Sequence, residues 1–509
     1  MTKSASNCYY LPTDSADALA TESVGKLALV LTQNEVEPPF AVLDCFDQSL
    51  RRSSRLLLAT GTSFDLLTAD GQMLSQSARR KRQFVADFQE GPVKRALADL
   101  SPLRSLLSVG SGHLHRAVLA LMDDDQKTHC RAFLHFLTTT EGKAAVLVTL
   151  QGLVGYDKAL AELRKHVEAC GGTTLNSGGL YADLFPGQIA YDAKPEVFIG
   201  SDDTAFNAAN DIISAYIPVA RANEAGIIAD HDTVFLHDYR IALRKVRSVL
   251  SLFKGVYQEV QTADLKARFS EMMEPTGQLR DLDVYLLGRQ QFYDLLPKTL
   301  HSGLDRMFRM FTDERKAEKA RLARRLRSTG YALAITDLSK LFAKRRKLVP
   351  GPKADLGAHD YACALIWKRY RKICKIAAGI GPETDDADVH VLRIHCKKLR
   401  YLMEFFGPLF PKAEFKSLIK PLKLLQDNLG LVNDYSVQQV SLQDFLRRLG
   451  KKPDSVNLDV AQSVGALIAV LHRRQLEERV KIVESFAPFN SPQTQGTFRD
   501  LFHDRSDKK

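Results

Sequence analysis

The stretch HDYRIALRKVRSVLSLF at residues 237–253 aligns without a gap to HVLRIHCKKLRYLMEFF at residues 390–406, an offset of 153 residues. Six of the seventeen positions are identical: His237/His390, Arg240/Arg393, Ile241/Ile394, Lys245/Lys398, Arg247/Arg400 and Phe253/Phe406. Arg244 stands opposite Lys397, which keeps the charge. At the same offset TGQLRDLDV (276–284) meets LGLVNDYSV (429–437), pairing Gly277 with Gly430 and Asp281 with Asp434. A constant offset through two separate motifs marks a duplication. Its halves are expected to face each other about a pseudo-twofold axis.

Each copy reads as an amphipathic helix. At 100° per residue His237, Arg240, Arg244 and Arg247 fall within a sector of about 80°, beside an apolar sector of Tyr239, Leu243, Val246, Leu250 and Phe253. The stripe runs for about 15 Å at the helical rise and contains no acid, although a solvated face gains from mixed signs. One basic stripe alone is commonly a solvated face. Two copies that both keep His-x-x-Arg-x-x-x-(Arg/Lys)-x-x-Arg point instead to anion binding, with eight basic side chains lining a groove or pore. Arg offers forked donors to phosphate oxygens and Lys a mobile charge, which suits a chain of phosphates. His237 and His390 read either as phosphate donors or as buttresses of the helix start; no HExxH or Cys/His cluster favours a metal. Asp281 and Asp434 either orient a basic residue or form plain salt bridges or helix caps.

At 509 residues two or more domains are expected. No apolar run reaches the roughly 18–20 residues that cross a bilayer, and the N-terminus lacks a basic region followed by a long apolar one. The expectation is a cytoplasmic protein without membrane contact. Seven scattered cysteines with no CxxC pair argue against a disulfide framework and a zinc site. The net charge of +11 is uneven: residues 201–509 carry roughly +13 and residues 1–200 about −2. The basic half would attract nucleic acid, anionic membrane or polyphosphate. Aromatics are sparse, Trp367 is the one tryptophan, and no base-reading motif appears.

Short apolar or alternating runs dominate residues 1–170, interrupted by helices expected at Gly91–Leu107 and Tyr156–Ala169, so this part reads as an α+β domain of mainly antiparallel sheet. Residues 171–204, rich in Gly, Ser, Thr and Pro, read as a linker. Residues 205–485 read as an all-α domain of eight to ten helices, in halves of about 205–350 and 356–485, with Gly and Pro mostly at helix ends. Residues 486–509 read as a tail. The runs Glu314–Arg327 and Ala343–Lys347 read as solvated faces, while Lys368, Arg371, Lys372 and Lys375 extend the basic surface.

Residues 205–485 resemble the CHAD domain, the conserved-histidine α-helical domain, in HDYRIALRKVRSVLSLF, LRDLDV, HVLRIHCKKLRYLMEFFGPLF and LKLLQDNLGLVNDYSV. The resemblance implies two four-helix bundles about a pseudo-twofold, a basic surface that binds inorganic polyphosphate, and association with polyphosphate granules. The implied phosphate-binding residues are His237, Arg240, Arg244, Arg247, His390, Arg393, Lys397 and Arg400. Lys245 and Lys398 are counted with them, and Asp281 and Asp434 support them. The N-terminal part resembles the CYTH domain, a triphosphate-tunnel fold, in CFDQSLRRSSRLLLATG, GPVKRALADLSPLRSLL, VTLQGLVGYDKALAEL and KPEV. It departs from that family where ESVGKLALVLTQ lacks the metal-holding ExExK and DLLTADGQMLSQ lacks basic residues. A degenerate, non-catalytic tunnel without metal or cofactor is therefore expected. The alternatives are a metal-dependent tri- or polyphosphatase, for which Asp47, Asp70 and Asp123–Asp125 are the notable acids, and non-specific nucleic-acid binding.

Overall fold

The sequence changes character near residue 192, and so does the fold. The computed structural model describes residues 7–11, 13, 19, 23–36, 39–70, 72–78, 84–174, 177–186, 191–381, 384–450 and 456–503. The chain divides into two units, Met1–Asp192 and Ala193–Lys509.

In the first unit β1 (Cys8–Leu11), β2 (Ser23–Val24), β3 (Leu27–Val36), β4 (Phe40–Cys45), β5 (Leu56–Ala59), β6 (Ser63–Leu67), β7 (Met73–Ser77), β8 (Leu106–Met122), β9 (Thr128–Thr139), β10 (Ala144–Gly152) and β11 (Thr173–Thr174) form one antiparallel sheet in the order β11-β1-β10-β9-β8-β4-β5-β6-β7, with β3 also on β8 and β2 on β3. The long β8 has β9 along one edge; along the other it pairs first with β4 and then with β3. Alternation puts Leu119, Leu121, Leu134 and Val148 under helix Asp157–Ala169, whose Leu163 and Val167 complete that core. Phe40, Val42, Leu58, Leu114 and Leu147 form another core with Leu180, Tyr181 and Leu184 of helix Ser177–Leu184.

Two local expectations fail here. Gly91–Leu107 is helical only over Pro92–Ala96, and Leu106 already begins β8. Pro102 has no N–H and disfavours the helical region for Ser101, so the helix cannot run through. The stretch read as a linker holds the helix Ser177–Leu184, and the boundary between the units falls inside it.

The second unit is helical: α1 (Ala205–Ala229), α2 (Thr233–Leu252), α3 (Glu259–Met273), α4 (Gly277–Leu287), α5 (His301–Leu326), α6 (Thr329–Lys344), α7 (Ala358–Ala377), α8 (Asp386–Phe406), α9 (Lys412–Leu449), α10 (Val456–Val480) and α11 (Pro492–Phe502). Among the described residues, ten of these helices, each of eleven or more residues, lie within 205–485, at the upper end of the eight to ten expected there, and α11 lies beyond that span. Pro275 splits α3 from α4 with a 3-10 turn, where the second copy runs on as the 38-residue α9. The segment read as a tail contributes α11, whose Phe498 stacks on Tyr370 of α7 at 3.8 Å. Pro218 and Pro421 lie inside α1 and α9 rather than at helix ends.

The duplication is visible in the element bounds. Helices α1 and α7 begin 153 residues apart, as do α2 and α8. A residue can touch its own repeat mate only close to the axis that relates the copies, and several do. Thr204 and Gly357 form a β-bridge. Phe253 and Phe406 stack with ring centroids 4.9 Å apart. Tyr285 donates to the Gln438 carbonyl at 3.3 Å, and Arg306 pairs with Asp459 at 3.1 Å. Every one of these pairs is separated by 153 residues, so the halves face each other about a pseudo-twofold.

Close packing of α1 on α2 depends on Gly226, where a Cβ would meet the Phe235 ring at 2.1 Å. Gly226→Ala is expected to cost about 1–3 kcal/mol through overpacking. Urea unfolding of the helical unit reads this as a lower midpoint, and an unchanged midpoint would mean that the helices separate freely.

Candidate anion-binding site

Helix α2 starts on the Asp232 carboxylate, which accepts from the Val234 and Phe235 N–H groups at 2.9 and 3.3 Å. Phe235, Tyr239, Leu243, Val246 and Leu250 are buried, which fixes the rotation of the helix and the direction of its basic stripe. His237, Arg240 and Arg244 then line a cavity of about 400 Å³ together with Arg280, Asp281 and Asp434. Both repeat motifs therefore reach one cleft, which the repeat mates Val284 and Val437 both line.

The charges in this cleft are partly desolvated. Burial pulls the Arg240 guanidinium below its ordinary range, and Arg244 adds to this against the opposing Asp281. Arg240 also donates to the Thr276 hydroxyl. Burial likewise lowers Arg280, and it raises the Asp281 carboxyl although Arg240 and Arg280 pull the other way. From the second copy, Arg393 is lowered by burial and lies 3.5 Å from Asp434. Lys397 is lowered by burial and then by Arg393 and Arg244. Arg244 and Lys397 are repeat mates, so the axis sets two like charges against each other. His390 Nδ1 lies 2.9 Å from Asn433 Oδ1, which holds the ring at the edge of this region.

The remaining candidates point elsewhere. Lys245, expected to bind phosphate, is buried, paired with Glu404 of α8 and set over the Tyr401 ring at 4.6 Å. It follows Arg244 by one residue, hence 100° round the helix, and ties α2 to α8 instead. Arg247 rests its Nη1 against Met273 Sδ at 3.7 Å. Arg400 bonds Glu404 at 2.7 Å and Gln426 at 3.3 Å. Lys398 faces Arg369, Lys254 and Lys372 rather than the cleft. The cleft thus takes its lining cations from the first copy, with Arg393 and Lys397 of the second beside it. Arg280 was not among the candidates because its repeat mate is Asn433, so the repeat gave no signal for it.

The run Glu314–Arg327, read as a solvated face, supplies Arg315. Its guanidinium bonds Asp283 at 2.7 Å and Asp230 at 2.8 Å, joining α5 to α4 and to the end of α1.

The β unit encloses a cavity of about 610 Å³ lined by Arg116, Asp65 and His135 among others. Arg116 pairs with Asp65 at 2.7 Å, and Asp65 also accepts from the Ser63 and Ser75 hydroxyls at 3.0 and 2.5 Å. Burial, with Arg116 adding to it, pushes His135 down to about 4. The notable acids occupy separate turns: Asp47 accepts from the Ser49 hydroxyl at 2.6 Å, Asp70 from Gln72 at 3.0 Å, and Asp123 faces His129 at 2.8 Å. Among the described residues no group of three or more His, Cys, Asp or Glu side chains is placed to hold a metal. No helix among them is long and apolar enough to cross a membrane.

No curated protein matches the chain. Of solved structures, the CHAD domain from the plant Ricinus communis is similar at 23% identity and a TM-score of 0.48, over 60% of this chain and 98% of that one. PptA from Streptomyces chartreusis is similar at 13% identity and a TM-score of 0.41, over 58% and 99%. A family model described as the CHAD domain matches residues 211–443, the span that holds both basic helices, both aspartate motifs and the axis between them. The helical unit of this chain carries a CHAD domain.

Proposed function

We propose that this chain binds inorganic polyphosphate in the cleft at the pseudo-twofold of its helical unit. The observation that carries the reading is the placement of Arg244 against Lys397, with Arg240, Arg280 and Arg393 around them, in a partly desolvated cleft. Such a cluster repels itself until an anion enters. The CHAD domain is linked to polyphosphate binding, which supports the same ligand. The proposed holding residues are His237, Arg240, Arg244, Arg280, His390, Arg393 and Lys397, with Asp281 and Asp434 orienting the guanidinium groups. Each contact is modest, and many on one flexible polymer add through effective concentration. Association with polyphosphate granules in the cytoplasm follows from the same binding. The β unit, where among the described residues the cavity-lining Arg116 is neutralised by Asp65, serves as a non-catalytic accessory.

Calorimetry with long-chain polyphosphate at two salt concentrations tests this, beside single-stranded RNA of matched charge. Tight, salt-weakened binding that favours polyphosphate and rises with chain length is expected. Equal or tighter RNA binding would move the reading to nucleic acid, and no binding of either would return the stripe to a solvated face.

Lys397 gives the site a pH signature. Burial and neighbouring arginines lower its ammonium in the free protein, and a bound anion raises it again, so binding takes up a proton. Affinity is full below the free-state value and falls as pH rises through it, about tenfold for each unit restored by the ligand. The fall begins below the ordinary lysine range. Lys397→Arg is expected to flatten the profile, and an unchanged profile would place Lys397 outside the contact.

A further inference from the structure

Lys398 is the repeat mate of Lys245, yet its surroundings are the reverse. Lys245 meets Glu404, whereas Lys398 meets cations. On α8, Lys398 and His395 lie about 120° and 180° round from the centre of the basic stripe. There they face α7, where Arg369 and Lys372 stand one turn apart. Arg369 Nη1 is 2.7 Å from His395 Nδ1, and Lys254, just beyond α2, completes the group. Among the described residues no carboxylate pairs with Arg369, Lys372, Lys398 or Lys254. The first copy has Tyr216, Val219 and Ala242 at the positions of Arg369, Lys372 and His395. Three of the four cations therefore come from the second copy and Lys254 from the first, and the group is not imposed by the duplication.

The histidine shows how the cluster is built. A guanidinium has only donors, so His395 Nδ1 must accept and the ring carries its proton on Nε2. Burial, with Arg369, Lys372 and Lys398 adding to it, holds the ring down to about 4. At neutral pH it is a fixed neutral acceptor that aims Arg369. The other donors of Arg369 and three ammonium groups share one neighbourhood without compensation. A monocarboxylate would neutralise one of four charges, whereas a compact phosphate anion carries several and accepts a guanidinium fork.

We propose that Arg369, Lys372, Lys398 and Lys254 form a second anion site, separate from the cleft, for a compact multiply charged phosphate such as pyrophosphate, with His395 as the positioning residue. The site does not depend on the cleft. The same chemistry is offered by free pyrophosphate and by the end of a polyphosphate chain.

The test is calorimetry of the full chain with sodium pyrophosphate, on wild type, on R369Q/K398Q and on the cleft variant R244Q/K397Q. One equivalent of binding is expected that survives in the cleft variant and weakens at least about tenfold in R369Q/K398Q. Binding lost in the cleft variant and retained in R369Q/K398Q would overturn the site, as would no binding by folded wild type. If R369Q/K398Q does not fold, K254Q/K372Q carries the same expectation at two exposed positions. His395→Gln keeps an acceptor and is expected to retain affinity, while His395→Leu loses it; equal loss in both would remove the positioning role. Long-chain polyphosphate that displaces pyrophosphate from the cleft variant identifies a chain end as the natural occupant, and failure to displace it identifies the free anion. Loss of long-chain binding in wild type would refute the cleft and leave this site standing.

Discussion

Replacing Arg240, Arg244, Arg393 and Lys397 together by alanine is expected to lower the affinity for long-chain polyphosphate by about a thousandfold or more. A hydrogen bond to a charged group is worth roughly 1.5–3 kcal/mol, and four such contacts on one polymer exceed three decades even when they are not additive. The salt dependence changes with them. Each phosphate contact releases counterions, so losing four should flatten the slope of log affinity against log salt by roughly three. Stability should change little, because none of the four is among the buried residues of the core. Lys245→Ala is the matched control and should behave the opposite way. It removes the contact to Glu404 and the cover on Tyr401, so the melting temperature falls while the salt slope stays. Calorimetry across a salt series, with thermal melts on the same samples, reads both. A quadruple variant that binds like wild type would end the cleft reading.

Arg315→Met is expected to be the most damaging substitution away from the cleft, at about 3–5 kcal/mol, because it leaves a buried charge without its partner. The Asp283 side chain is 1% exposed and Arg315 is its ion-pair partner. Burial already raises the Asp283 carboxyl while Arg315 pulls it down, so without Arg315 it rises further. The sign of the pH dependence follows. A carboxyl whose folded value lies above its unfolded one costs stability at high pH, and that cost fades as pH falls through the folded value toward the unfolded one. The variant should therefore be least impaired in mild acid, and Asp283→Asn added to it should recover part of the loss at neutral pH. Urea titrations of the full chain at two pH values measure this. Equal losses at both would mean that Asp283 stays solvated.

The duplication and the rotation of its two basic helices were legible because both rest on period alone. An offset of 153 residues and an apolar sector on each helix fix which side chains share a face. Which of the basic neighbours reach the cleft was not legible. Arg244 and Lys245 are adjacent and alike in charge, yet 100° of rotation puts one in the cleft and the other against Glu404. Lys245 and Lys398 are repeat mates with opposite surroundings, because Glu404, which meets Lys245, has Ser251 as its mate in the first copy, and Arg369, which faces Lys398, lies outside the matched motifs. Arg315 looked like one of many charges in Glu314–Arg327, since its partners Asp230 and Asp283 are distant in sequence. Pro102 and Pro275 carried usable signals: Pro275 ends a helix, and Pro102 bars one from running on to Leu107 as the apolar pattern alone would suggest.

The contacts between repeat mates have a consequence for what direction means to a ligand. Nucleic acid has a 5′ and a 3′ end and reads differently when reversed. A linear phosphate chain is the same from either end. A pseudo-twofold that sets Arg240 and Arg244 of one copy beside Arg393 and Lys397 of the other offers similar charges to both directions of travel, so such a chain can lie there two ways where a polar polymer has one. The gain from this degeneracy is only RT ln 2, about 0.4 kcal/mol, but it means that threading needs no sense of orientation. The places where the copies differ, Arg244 against Lys397 and Arg280 against Asn433, are where any preference for one direction would be written.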